Sequence, residues 1–145
     1  MHAAAALAWL LWGLGLIAMG VRARRSRSGD AVTAFARLLS HPAVRVSTPA
    51  LMALILVSGV WLVEADSEWS LTQPWIPLGL GLLAAAFLVG TLDLRRSAAR
   101  LERVATSGPD REAARAAIGR WLSGYALVLA ILVLAVWDMV AKPGL

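Results

Sequence analysis

Four long apolar runs, joined by short charged connections, constrain this chain more than any other feature. The first covers residues 3–21, and the other three end near Val63, Leu94 and Val140. A helix of about 20 apolar residues crosses a bilayer core, because it rises about 1.5 Å per residue. With 145 residues, of which 59% are hydrophobic and 16% charged, the chain is too apolar for one soluble domain. It is predicted to form four transmembrane helices at about 3–21, 46–63, 74–94 and 118–140.

The connection after the first run predicts a short helix at the membrane interface. Asp30 can cap its start, and apolar side chains within residues 32–39 recur at helical spacing. Pro42 is expected to end it, and Thr48-Pro49 is typical of a helix start for the second span. The predicted fold is therefore an all-α, four-transmembrane-helix bundle with a short interfacial helix between spans one and two, forming one domain over residues 1–145.

The third and fourth spans are expected to form a helical hairpin that projects beyond the bilayer. An apolar stripe continues past Leu94 to Ala105, which favours a helix there, and Ser107-Gly108-Pro109 is predicted to break it. Asp110 is a suitable cap for the last helix.

Charge predicts the orientation of the bundle. The connection between spans two and three holds Glu64, Asp66 and Glu68 and no basic residue, whereas the other two are rich in arginine. The basic residues that flank the spans are Arg22, Arg24, Arg25, Arg27, Arg37, Arg45, Arg95, Arg96, Arg100 and Arg103. Basic short loops stay in the cytoplasm, so both termini are predicted outside. Abundant Ala and preference for Arg over Lys indicate a GC-rich bacterium, hence a bacterial inner (cytoplasmic) membrane.

The same arginines bear on the partners of the protein. They flank membrane spans and lack interleaved aromatic residues, so binding of nucleic acid is not expected. Anionic lipid headgroups are the expected partners, with about 1 kcal/mol for each basic residue near the surface. The arginines assigned to this lipid contact are Arg22, Arg24, Arg25, Arg95 and Arg96.

The seven tryptophans could suggest a cofactor or quinone pocket, but most have a simpler explanation. An aromatic belt at the outer membrane surface accounts for Trp61, Trp69, Trp75 and Trp137, and Trp121 takes the corresponding inner position. Trp9 and Trp12 remain, since they are expected about 10 to 15 Å below the outer surface. They either fill the bundle interior or contact a partner protein.

Little in the sequence indicates catalysis. With no cysteine there is no disulfide, no cysteine-bound metal and no thiol nucleophile. The centres of the spans carry almost nothing ionisable, which argues against proton-coupled transport. The few polar groups there are expected to bond to neighbouring helices or to their own carbonyls, and they are Ser58, Thr91, Ser123 and Tyr125. Asp93 is expected to pair with an arginine such as Arg96.

Acidic residues and histidines are the remaining candidates for a metal or haem site. Glu64, Asp66, Glu68 and Asp138 lack fixed ligand spacing, so a solvated acidic rim is favoured over a metal site. The predicted topology places His2 and His41 about 30 Å apart on opposite sides, so they cannot hold one haem within a chain. A haem bound by a single histidine, or shared with another subunit, stays open.

Small residues on the spans, among them Gly13, Gly15, Gly20, Ala86 and Gly119, allow close helix approach. They serve either the bundle itself or association with other membrane subunits.

Four short patterns carry a resemblance to a known family. They are His2-x6-Trp9-x3-Gly13, Leu56-Val57-Ser58-Gly59-Val60-Trp61-Leu62, Trp69 with Pro74-Trp75, and the tail from Met139 to Leu145 with Lys142-Pro143-Gly144. Together they resemble a bacterial four-helix integral-membrane family catalogued as a domain of unknown function. The opening is also similar to the first helix of the copper-resistance D family and of the four-helix protoporphyrinogen oxidase family. In those families a histidine at that place is associated with copper or haem, which by resemblance implicates His2.

The functional prediction is a small integral membrane protein that is not an enzyme and carries no cofactor. It is expected to act as an accessory or structural subunit of a larger membrane complex, with Trp9 and Trp12 in contact with partner subunits or lipid. The alternative is a haem- or copper-handling membrane protein that uses His2 at the outer surface.

Overall fold

The computed structural model describes residues 1–26, 28–65, 70, 72–106 and 110–142. Over these residues it contains helices and short turns, and no strand. The elements are α1 (His2–Arg25), α2 (Gly29–Ser40), α3 (Pro42–Ala65), α4 (Trp75–Val89), a π-helical turn (Gly90–Leu94), α5 (Arg95–Thr106) and α6 (Arg111–Ala141). Four helices are long and apolar enough to cross a membrane, namely α1, α3, the continuous Trp75–Thr106 helix and α6. The predicted all-α fold with four membrane-spanning helices is confirmed.

The short helix predicted between the first two spans is α2. Its cap is Ser28, whose Oγ accepts a hydrogen bond from the backbone N–H of Asp30 at 3.1 Å, so the prediction that Asp30 itself is the cap is wrong. Phe35, Ala36 and Leu39 form its buried face. This face packs mainly on α5, so α2 closes the arginine-rich end of the bundle, here called the arginine end.

The helix of the second span begins earlier than predicted. α3 starts at Pro42, and Pro49 lies inside it, so the predicted start at Thr48-Pro49 is wrong. Two features favour the earlier start: His41 Nδ1 accepts from the N–H of Ala43 at 3.2 Å, and a proline in the first turn loses no hydrogen bond. Pro49 has no N–H to donate to the carbonyl of Arg45, which weakens the helix at this point.

The third span contains a π-helical turn that the sequence did not indicate. There the hydroxyl of Thr91 donates to the carbonyl of Phe87 at 2.8 Å. This hydrogen bond gives a partner to a backbone carbonyl next to the irregular turn. As predicted, the helix continues to Thr106, and Asp110 caps α6 by accepting from the N–H groups of Glu112 and Ala113. Some residues of the sequence predictions lie outside the described residues, namely Arg27, Asp66, Glu68, Trp69, Ser107, Gly108, Pro109, Pro143, Gly144 and Leu145.

The helices are arranged around α6. α4, α5 and α1 all pack extensively on α6, whereas α3 packs mainly on α1 and touches α4 little. The core includes Trp9, Leu16, Ile118 and Leu132. Because α3 and α4 barely meet, a cleft runs between them along the bundle.

Several of the small residues are used inside the bundle. A Cβ added at Gly13 would lie 2.9 Å from atoms of Tyr125 and Leu129, and one added at Gly20 would lie 2.9 Å from Leu122. A Cβ added at Gly15, in contrast, would have no neighbouring atom within 4 Å. Of the two alternatives for small residues, the internal bundle therefore accounts for Gly13 and Gly20.

Candidate functional site

His2 lies at the start of α1, and its ring contacts the far end of α3. Its Nδ1 lies 3.1 Å from the Oγ of Ser58. Ser58 donates its own hydroxyl hydrogen to the carbonyl of Leu54 at 2.6 Å, which assigns the donor role in the His2–Ser58 bond to Nδ1 of His2. This assignment leaves Nε2 of His2 outside the bond to Ser58. Gly59 makes the contact possible, since a Cβ there would lie 3.0 Å from Cε1 of His2.

Next to this ring the α3–α4 cleft widens into a cavity of about 660 Å³, here called the His2 cavity. This volume lies within the range of about 300–1,000 Å³ that is usual for cofactor and small-molecule sites. Apart from His2 its lining is apolar or aromatic, and includes Ile55, Gly59, Trp61, Trp75, Gly79, Leu80, Leu83 and Met139. Among the described lining residues, His2 is the one ionisable side chain.

Asp138 lies beside the wall of the His2 cavity. Its exposed fraction is 0%, and neither carboxylate oxygen has a hydrogen-bond partner among the described residues. A Cβ at Gly79 would lie 3.2 Å from Oδ2 of Asp138 and 3.7 Å from Cε of Met139, so the glycine provides room for both side chains. Asp138 lies near the end of α6. The prediction that Asp138 belongs to a solvated acidic rim is wrong, because helix packing covers it completely.

The described residues contain no group of three or more His, Asp or Glu side chains that could hold a metal ion. His41 lies at the opposite end of α3 from His2. The contacts of the two histidines, at Ala43 and Ser58, are about 22 Å apart along the helix. The prediction that the two histidines cannot share a ligand within one chain agrees with this geometry.

The tryptophans divide differently from the prediction. Trp9 has an exposed fraction of 0% and fills the bundle core, so the predicted lipid or partner contact is wrong for Trp9. Trp12, on the adjoining face of α1, is 36% exposed and available for such a contact. Trp61 and Trp137 are 68% and 59% exposed, as an aromatic belt requires.

Trp121 was predicted to lie in the aromatic belt at the inner membrane surface, and this prediction is wrong. It is buried, stacks on Tyr125 with ring centroids 4.9 Å apart, and meets Phe35 of α2 edge-to-face with ring centroids 5.3 Å apart.

The arginines assigned to lipid contact are exposed at the arginine end, and they are Arg22, Arg24, Arg25, Arg95 and Arg96. The ion pair predicted for Asp93 is absent from the described residues. Instead its Oδ2 lies 2.7 Å from the position that a Cβ would take at Gly124 of α6. The predicted back-bonding hydroxyls are confirmed for Ser58, Thr91 and Ser123, each of which donates to the carbonyl four residues earlier.

A family model described as "Predicted integral membrane protein (DUF2269)" matches residues 1–143. The chain belongs to this family. The match covers almost the whole bundle, including His2, Ser58 and Met139, and it agrees with the resemblance stated from the sequence. No curated protein and no solved structure matches this DUF2269 chain. The similarity to the copper-resistance D and protoporphyrinogen oxidase families stays a prediction.

The sequence analysis identified His2 but missed the residues that complete the site. Ser58 and His2 are 56 positions apart, and nothing local indicates which face of α3 meets α1. A usable signal was present in Ser58-Gly59, since a hydroxyl followed by a glycine allows a ring to approach a helix and bond to it.

Proposed function

We propose that this DUF2269 protein binds a haem-type iron porphyrin in the His2 cavity, with Nε2 of His2 as the iron ligand. The supporting observation is the Nδ1 bond to Ser58, which leaves Nε2 free beside a large apolar cavity. Metal-binding histidines commonly donate their other ring N–H in this way, which fixes the tautomer and orientation of the ring.

The surroundings of His2 fit a haem better than a copper ion. Met139 lines the same cavity and would offer a thioether, a ligand type that accompanies histidine in some haem proteins. Nζ of Lys142 lies 5.7 Å from the ring of Trp75, which also lines the cavity, and would supply a cation for the carboxylates of a bound haem. Copper would need several ligands together, and the described residues supply no such group of His, Asp or Glu. When bound, a haem would supply one-electron chemistry, and the residues of this chain would hold and shield it.

The test is an absorbance spectrum of the full chain, tagged after Leu145 and purified in a mild detergent with and without added haemin. We expect a Soret band that saturates at one haem per chain and is lost in His2→Ala. His41→Ala is the matched control, because His41 caps α3 at the other end of the bundle. Equal binding by the wild type and His2→Ala, or binding by neither, would exclude the proposed site.

A second candidate function, which is compatible with the first, is that of a non-catalytic accessory subunit in a larger membrane complex. The specific observation in its favour is the open α3–α4 cleft, flanked by exposed apolar side chains such as Val60 and Trp61. Trp12 adds a partly exposed indole on α1. Purification from native membranes should recover a defined partner at fixed stoichiometry with the wild type and less with Trp12→Ala. Trp137→Ala serves as control, and equal recovery with all variants would remove Trp12 from the interface.

We also propose that the protein resides in a bacterial inner membrane with both termini outside. The exposed arginines at one end of the bundle support this orientation, because short basic connections stay on the cytoplasmic side. Their guanidinium groups would then bind anionic lipid headgroups.

A further inference from the structure

A second cavity lies in the α3–α4 cleft toward the arginine end, with a volume of about 260 Å³. It is called the Tyr125 cavity here. Its walls come from α1, α2, α3, α6 and the helix that contains the π-helical turn, and they include Trp9, Thr48, Thr91 and Tyr125. Three residues of the π-helical turn line it, and such turns are frequent at functional sites. Arg45, Arg95 and Glu102 line its end near the membrane surface.

Two hydrogen-bonding groups of the lining are buried without a partner. Nε1 of Trp9 and the hydroxyl of Tyr125 have no hydrogen-bond partner among the described residues, although these side chains are 0% and 3% exposed. The hydroxyl of Tyr125 interacts with Thr48 without reaching hydrogen-bond geometry. Unpaired buried donors are costly, and more so in a membrane, where neighbouring lipid tails offer no acceptor. Both side chains line the cavity, and a ligand with acceptor oxygens would give the two donors the partners they lack once the side chains turn toward it.

The walls and the depth of the cavity restrict the kind of ligand. Trp9, Trp121 and Tyr125 supply aromatic surface, which suits a flat ring. Along α1, Trp9 lies about 20 Å from Arg22 at the arginine end. A phospholipid whose phosphate is held by Arg45 would place its ester oxygens near Thr48 and Tyr125, one turn along α3, and short of Trp9. A ligand that satisfies both donors must instead carry an acceptor as deep as Trp9, where an uncharged group is favoured.

We propose that the Tyr125 cavity binds the head of a lipid-soluble quinone, whose carbonyl oxygens accept hydrogen bonds from Tyr125 and Trp9. Such a molecule is planar, neutral and soluble in the membrane, and its isoprenoid tail can leave through the α3–α4 cleft. The proposal is independent of haem binding, since none of the residues that support it lines the His2 cavity.

The test is a titration of the detergent-purified full chain with a benzoquinone that carries one isoprenoid unit, followed by quenching of tryptophan fluorescence. We expect saturable quenching, because Trp9 and Trp121 line the cavity. Tyr125→Phe removes one donor while it keeps the ring, and should raise the Kd about three- to tenfold. His2→Ala should leave the Kd unchanged, which separates this site from the haem proposal.

A blocking variant provides the matched control. Gly90 lines the cavity and a Cβ there has nothing within 4 Å, so Gly90→Leu adds a side chain at an open position of the cavity wall. Gly81→Leu adds the same side chain at an open position of α4 that does not line the cavity. We expect Gly90→Leu to lose saturable quenching and Gly81→Leu to retain it, with both variants giving monodisperse protein.

Three results would overturn the proposal. The first is quenching that never saturates, and the second is an equal Kd in the wild type and Gly90→Leu. The third is displacement of the probe by short-chain phosphatidylglycerol together with a larger loss of binding in Arg45→Gln than in Tyr125→Phe. That last pattern would identify a phospholipid headgroup site instead.

Discussion

A carboxylate without a partner lies where α6 meets α4. Asp138 is fully covered, and the absence of a side chain at Gly79 provides the space it occupies. A buried ionised carboxylate is unfavourable unless it is paired, and no described residue pairs with it. The residue therefore lowers the stability of the isolated chain, while Met139 beside it lines the His2 cavity.

Replacement of Asp138 by asparagine should stabilise the protein. Asp138→Asn keeps the shape and removes the buried charge, so we expect a gain of about 1–2 kcal/mol in the free energy of unfolding. Thermal unfolding in detergent, followed by circular dichroism, measures it. Asp93→Asn is the control, because Asp93 is exposed and should change stability by less than about 0.5 kcal/mol. A loss of stability in Asp138→Asn would show that the carboxylate has a partner.

Among the elements, α6 carries most of the helix packing. Small residues allow the neighbouring helices to approach it closely, as Gly13 does for α1 and Gly79 for α4. Close approach matters in a membrane, because helix association there depends on van der Waals packing and hydrogen bonds. α3 lacks an equally close partner on its α4 side, and both cavities lie along that side.

Two alanine substitutions on α1 should have opposite effects. Gly13→Ala places a Cβ 2.9 Å from Tyr125 and Leu129, and we expect a net loss of about 1–3 kcal/mol from overpacking. Gly15→Ala meets nothing within 4 Å and should gain about 0.5–1 kcal/mol from helix propensity. Chemical unfolding in mixed detergent micelles compares the two. Equal effects would mean that α1 does not pack on α6 through Gly13.

At the scale of the whole molecule, charge is distributed unevenly along the axis of the bundle. The arginine end carries the exposed basic residues of α1, α3 and α5, whereas Glu64 lies at the other end with His2 and Trp61. The two cavities follow the same axis, one toward each end of the α3–α4 cleft. In the proposed orientation the His2 cavity therefore lies in the outer leaflet, and the mouth of the Tyr125 cavity lies in the inner leaflet.

Cysteine labelling tests this orientation cleanly, because the natural chain contains no cysteine. In intact cells a membrane-impermeant maleimide should label Glu64→Cys, since the proposal places Glu64 outside. Thr106→Cys, at the end of α5, should react only after the membrane is permeabilised. The reverse pattern would invert the bundle and move the His2 cavity to the cytoplasmic leaflet.

The number of spans and the helical fold could be predicted because they depend on local properties. Bilayer thickness sets the length of an apolar run, and backbone groups in a membrane must be satisfied within the segment, which makes each run a helix. The cap at Asp110 and the hydroxyls bonded back to their own helices follow from interactions within a few residues. The start of α3 was missed because it depends on the side chain of His41, which accepts a hydrogen bond from the N–H of Ala43. Residue preferences for helix caps do not distinguish this start from the one predicted at Thr48-Pro49.

The candidate sites depend on how the helices are rotated against one another. The sequence by itself determined that His2 and His41 lie at opposite ends, since chain length and charge decide this. Only the tertiary structure decided that His2 meets Ser58, that Trp9 is buried and that Asp138 has no partner. Each of these three features depends on contacts between residues of different helices. The nearly uniform apolar surface of a membrane helix contains little information about which face turns inward.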